Sequence, residues 1–182
     1  MKKIEEIQYR LLNIGNEEID ESNRTVPVSF SSETPVKRSF GMEILSHDKG
    51  AVDLARLNDG APVLLDHDRK LQVGVVERAI IGADRKGRAM LRFSKSAKGE
   101  EVFQDVKDKI RRNVSVGYLI HDAEERGINE IFVTKWEPIE ISFESLAADP
   151  NVGLGRSLNI EKENEVIESC QTKKIKIKVS LR

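Results

Sequence analysis

Ile110-Arg111-Arg112-Asn113-Val114-Ser115-Val116-Gly117-Tyr118 is where the chain changes its period. Upstream of it, Val102, Phe103, Val106 and Ile110 recur at helical spacing among charged residues, which predicts an amphipathic helix over 97–112 opened by Ser96. Arg111 and Arg112 fall in its last turn, where cations suit the helix dipole. From Val114 the residues are β-branched and alternate, which predicts a strand over 114–121. Ser115 then faces away from Val114 and Val116. A lone serine between valines is an ordinary hydroxyl at the edge of a core. Two other stretches give it weight: Leu64-Leu65-Asp66-His67-Asp68 upstream and Trp136-Glu137-Pro138-Ile139-Glu140-Ile141-Ser142 downstream.

Working outward, strands are expected within 6–14 and at 25–31, 40–45, 73–81, 88–94, 129–136 and 139–146, with 61–65 a compact apolar run. Pro27 places its strand at an edge or at a strand start. Residues 84–87 read as a hairpin turn and 31–38 as a loop. Residues 51–57 read as a short helix stopped by Asn58-Asp59-Gly60. Strands outnumber helices and short turns join several of them. The expected fold is therefore β-rich α+β, an antiparallel β-barrel with surrounding helices. One domain is expected over 1–157. The charged segment 158–182 reads as a C-terminal tail or a peripheral strand, because Lys173-Lys174-Ile175-Lys176-Ile177-Lys178-Val179 alternates strictly.

The totals narrow the function classes. A chain of 182 residues is long enough to bury a sizeable core. Its 30 basic residues against 31 acidic ones supply no overall attraction to nucleic acid or to a membrane surface. Cys170 is the single cysteine, which excludes an internal disulfide and a multi-thiolate zinc site. Acidic residues interrupt the first stretch, so it does not read as a secretory signal, and no run of apolar residues reaches membrane-spanning length. The expectation is a soluble intracellular protein. Gly153-Leu154-Gly155-Arg156 lacks the helix-opening context and the lysine of a phosphate loop, so no cofactor is expected.

A serine needs a base before it acts as a nucleophile at neutral pH. Three histidines are available. His47 lies in a polar turn and His121 beside a charged one, and both read as surface imidazoles. His67 directly follows an apolar run, which holds its backbone at the rim of a core, and acids flank it on both sides. As a metal site, Asp66-His67-Asp68 is poor, because neighbours in an extended chain point opposite ways, and no metal is expected. Trp136 reads as core.

Taken in order, Leu64 to Asp68 with Val73-Gly74, then 88–94, then Asn113 to Tyr118, then Trp136 to Ser142 with Ala148-Asp149-Pro150, resemble the prohead maturation proteases of tailed bacteriophages over roughly residues 25–156. That family is similar in fold to the herpesvirus assemblins. The resemblance implies a serine endopeptidase acting inside the assembling procapsid, in the host cytoplasm. Its implied substrates are scaffold protein, major capsid protein and the protease itself, and self-association within the procapsid is compatible with it. It maps the family's histidine onto His67 and its serine onto Ser115. Glu140 is chosen as the group that orients the imidazole, with Asp66, Asp68, Glu144 and His121 as competitors. Arg156 is a candidate oxyanion donor, against the alternative of a surface arginine. The N-terminal third, especially residues 31–40, matches the family only loosely. Two rival readings stand beside this one. The first is a non-catalytic capsid-assembly or scaffold component that keeps the fold. The second is a β-barrel binding module in which His67 and Ser115 are not neighbours.

Overall fold

The computed structural model describes residues 8–13 and 19–145. Its elements in chain order are β1 (Gln8–Asn13), β2 (Thr25–Ser31), β3 (Val36–Arg38), β4 (Gly41–Leu45), α1 (Ala55–Asn58), β5 (Pro62–Leu65), β6 (Asp68–Ile81), β7 (Gly87–Phe93), α2 (Ala97–Lys107), β8 (Asn113–Glu125) and β9 (Glu130–Glu144). The strands join one sheet whose main path runs β1-β8-β9-β5-β6-β7-β2. Its centre is the β8–β9 hairpin, in which the alternation read from Val114 onward becomes a long antiparallel ladder. The other edge of β9 carries two strands in parallel, β4 against Glu130–Val133 and β5 against Ile141–Phe143.

This arrangement corrects the expected barrel. The path ends at β1 on one side and β2 on the other, and no ladder joins them among the described residues, so the sheet is open. β2 carries Pro27, which has no N–H to donate, and among the described strands it pairs only with β7, as a proline-bearing edge strand does. The sheet is also mixed rather than antiparallel, because β4 and β5 both run parallel to β9. Nor do helices surround it among the described residues: α1 is a single turn and α2 has 11 residues.

Three local expectations also shift. The helix predicted to reach Arg112 stops at Lys107. Lys109 takes φ 60°, and the N–H groups of Lys109 and Ile110 bond back to the carbonyls of Val106 and Asp105. That is a Schellman end with lysine where glycine is usual, so the sequence carries no stop signal there, and Ile110 is left 69% exposed. The helix expected at 51–57 begins only at Ala55. Residues 51–53 lie extended beside β9, where Ala51 accepts from the Trp136 N–H and Asp53 donates to the Trp136 carbonyl. The two strands expected at 129–136 and 139–146 are one. A bulge opposite Gly117 and Tyr118 gives Pro138 a place without breaking the ladder.

The core lies on one face of this sheet. Val114, Val116 and Tyr118 from β8 and Ile141 and Phe143 from β9 are fully buried there. α2 closes one side through Val102, Phe103 and Val106, with Phe103 5.3 Å from the Phe93 ring, and the Arg24 guanidinium lies 4.7 Å over Phe103. Trp136 is buried as expected, and its Nε1–H donates to the Ser46 carbonyl at 2.9 Å. His47 corrects the surface reading. It is 5% exposed, its ring meets Trp136 edge-on at 5.5 Å, and its Nε2 is 2.7 Å from the buried Ser31 hydroxyl. The turn that looked polar in sequence folds inward because β4 runs beside β9. Trp136→Phe removes the one indole donor and leaves the Ser46 carbonyl without it. The expected loss is about 1–3 kcal/mol in urea unfolding. A change below about 0.5 kcal/mol would mean that the indole N–H contributes nothing net.

Candidate active site

The connection between β5 and β6 is two residues long, Asp66 and His67, with Leu65 paired to Asp68. Both residues have positive φ, 47° and 56°. A two-residue hairpin loop with left-handed backbone at both positions is of the type I′ kind, where asparagine or aspartate followed by glycine is favoured. Asp66 obeys that preference. His67 stands where glycine is usual, and a left-handed non-glycine residue costs roughly 1–2 kcal/mol. Such an outlier is a pointer to function, because the side chain must justify the backbone.

That side chain reaches across the sheet. His67 Nδ1 lies 2.5 Å from Glu140 Oε1, and Nε2 lies 2.9 Å from Ser115 Oγ. A carboxylate only accepts, so Nδ1 carries a proton and Nε2 is the nitrogen that faces the serine hydroxyl. Ser115 and Glu140 are 2% and 6% exposed, whereas the His67 side chain retains 17%. Ser115 thus leaves the core face to Val114 and Val116 and turns its hydroxyl to His67. A hydroxyl, an imidazole and an orienting carboxylate in this order can move a proton from oxygen to nitrogen and stabilise the resulting cation. The binding-module reading, with His67 and Ser115 apart, does not fit this distance.

Two further residues hold the relay, and neither had a role in the sequence reading. Ser142 sits opposite Ser115 in the β8–β9 ladder and is fully buried. Its hydroxyl donates to Glu140 Oε2 at 2.9 Å and accepts from the His67 N–H at 3.1 Å, so one side chain secures both the acid and the strained turn. Gly117 sits opposite Glu140. A Cβ at Gly117 would lie 2.3 Å from Glu140 Oε1, so the carboxylate occupies space that only glycine leaves open. The Ser-Val-Gly-Tyr spelling contained this signal. Its meaning depended on knowing which residue faces Gly117.

The competitors for the third position separate by geometry. Asp66 accepts from the Ser145 N–H at 3.4 Å and Asp68 from the Lys70 N–H at 2.8 Å. His121 is exposed and lies 3.1 Å from Glu137. Glu144 does approach the histidine, with Oε1 3.1 Å from Nε2. Burial pushes its carboxyl above the ordinary range. The His67 charge opposes this, while Asp66 and Glu140 add to it. Arg156, the candidate oxyanion donor, lies outside the described residues, as do Ala148-Asp149-Pro150 and the segment 158–182. A separate cleft of about 750 Å³, lined in part by Arg24, Gln72, Phe93 and Lys95, contains none of the relay residues.

No protein-family model matches the chain. Over 137 residues it is 51% identical to the major capsid protein of Halomonas phage phiHAP-1, an alignment taking in 71% of this chain and 23% of that protein. The chain therefore spans less than a quarter of the length of the curated relative it matches. The structure of the bacteriophage T4 capsid assembly protease matches with a TM-score of 0.57, covering 76% of this chain and 96% of that one at 11% identity. The chain has a fold like that of this protease. Gly117→Ala is expected to displace the Glu140 carboxylate and lengthen its 2.5 Å contact with His67 while the protein stays folded. A crystal structure of the variant checks it, and an unmoved Glu140 would refute the packing argument.

Proposed function

We propose that the protein is a serine endopeptidase of phage procapsid maturation, with Ser115 as nucleophile, His67 as general base and acid, and Glu140 as the orienting group. The observation that carries this reading is the continuous relay from Glu140 through His67 to Ser115, at 2.5 Å and 2.9 Å, on a fold like that of a capsid assembly protease. Ser115 Oγ attacks the scissile carbonyl as Nε2 takes its proton, and the imidazolium, held by Glu140, returns that proton to the leaving amine. Water then releases the acyl group by the same path in reverse. The oxyanion needs donors of its own. Arg156 remains the candidate from the sequence. The proposed substrates are scaffold protein, major capsid protein and the protease itself, inside the procapsid in the host cytoplasm.

A second reading has a specific observation behind it. The matched relative is named a major capsid protein, so the domain as a non-catalytic part of capsid assembly is the alternative. Retention of the strained His67 turn and its full hydrogen-bonded relay favours catalysis, since a purely structural hairpin would gain from glycine there.

Coexpression with the capsid and scaffold proteins of its phage separates the two. Wild type should process them, and Ser115→Ala and His67→Gly should each lower processing by about 10³-fold or more. His67→Gly is a second control, because the ease of glycine at a left-handed turn position offsets part of what the buried Glu140 loses with its imidazole partner, and circular dichroism checks that the variant is folded. Equal processing by Ser115→Ala would reject the assignment. Failure of folded wild type to react at Ser115 with a serine-directed phosphonate, with its partners present, would favour the assembly role.

A further inference from the structure

Glu144 has no part in the proposed relay, yet it touches it. It lies on the same face of β9 as Ser142 and Glu140, opposite Asn113 in β8. Its Oε1 is 3.1 Å from His67 Nε2, the nitrogen that also lies 2.9 Å from Ser115 Oγ. This Oε1 is buried and has no other partner among the described residues. With Nδ1–H committed to Glu140, a neutral imidazole presents a lone pair at Nε2. A lone pair and an ionised carboxylate oxygen at this distance repel. The contact is stable only with a proton in it, either on Nε2 facing an ionised Glu144 or on Glu144 facing the Nε2 lone pair. In both cases Nε2 is not free to receive the proton of Ser115.

We infer that Glu144 is a positioning residue that shares a proton with the Nε2 side of His67, and so sets the pH above which the relay can take the proton of Ser115. This rests on the relay proposed above. When the shared proton leaves for solvent, Glu144 is a carboxylate, the close contact loosens, and the Nε2 lone pair accepts the Ser115 Oγ–H. No bond other than that to the proton changes.

The surroundings of Glu144 agree with this. From the β5–β6 turn it faces Asp66 and His67, from its own strand Glu140, and across the ladder the uncharged Asn113. Burial disfavours its charge first, the two neighbouring carboxylates add to that, and only His67 opposes. The protonated carboxyl is thus favoured to a higher pH than for an exposed glutamate. Removing the acid takes away the second holder of the shared proton, which frees the base at lower pH. The sign of the expected shift is therefore downward.

The test uses the full chain with Glu144→Gln and Glu144→Ala, two variants because the amide of glutamine still donates toward Nε2. The acid limb of kcat/KM is expected to move down by about one pH unit in both, with the plateau changed only a few-fold. A second readout does not need activity. In the Ser115→Ala background, the ¹⁵N NMR signal of His67 Nε2 should change at fixed pH once its 3.1 Å Glu144 contact is replaced. An unmoved limb and an unmoved Nε2 signal in folded variants would overturn the inference, as would a uniform loss of rate at every pH. A moved Nε2 signal with no activity in wild type would support the role of Glu144 and reject the protease reading, so the two failures are distinguishable.

Discussion

The register between β8, β9 and β5 is the constraint on which the site depends. Ser115 lies opposite Ser142, and Ser142 opposite Leu64, so the three central strands set these positions in one row. The Asp66 N–H closes onto the Phe143 carbonyl at 3.1 Å, which sets the β5–β6 turn over that row. Side chains alternate with a period of two, so a slip of one residue would turn Ser115 into the core and Val114 and Val116 out of it. The apolar partners prevent this. Val114, Val116, Ile141 and Phe143 are all fully buried on the opposite face, and together they pin the register that the polar face uses.

On the polar face the carboxylate is buried and would be costly without partners. Glu140 has them on both oxygens, His67 on one and Ser142 on the other. Ser142 links this to the backbone of His67, so that the strain of a left-handed histidine and the burial of an acid are offset by one hydroxyl. Gly117 supplies the room. Three residues from two strands thus hold one imidazole in place. Removing any one of them disturbs the others, as expected of a connected polar network in a low-dielectric setting.

The two comparisons speak to different levels. The T4 capsid assembly protease shares the fold at 11% identity, and a fold hosts function without specifying it. The phiHAP-1 capsid protein shares half its aligned residues but only along 23% of its length. Neither assigns a role to Ser115, His67 or Glu140. The roles proposed for them rest on the distances between them and on the chemistry those distances permit.

Much of the secondary structure was legible because its causes are local. Period-two alternation marked β7 and β8, and Pro27 marked an edge. The core face of α2 followed from Val102, Phe103 and Val106, although the helix ended early because Lys109 holds the left-handed cap that glycine usually announces. His67 and Ser115 were legible as candidates through the motifs around them, and Glu140 through its place on a strand. What pairs with what was not legible. The open, mixed sheet arises because β4 and β5 both dock in parallel on β9, and such non-local pairing leaves no periodic mark. Burial of His47 has the same origin. The sequence by itself determined the alternation that gives Ser115 one face and its valines the other. The tertiary structure decided that Glu140, Ser142 and Glu144 share that face with His67, because only strand register brings residues 48 and 73 positions from His67 within hydrogen-bond reach of one ring.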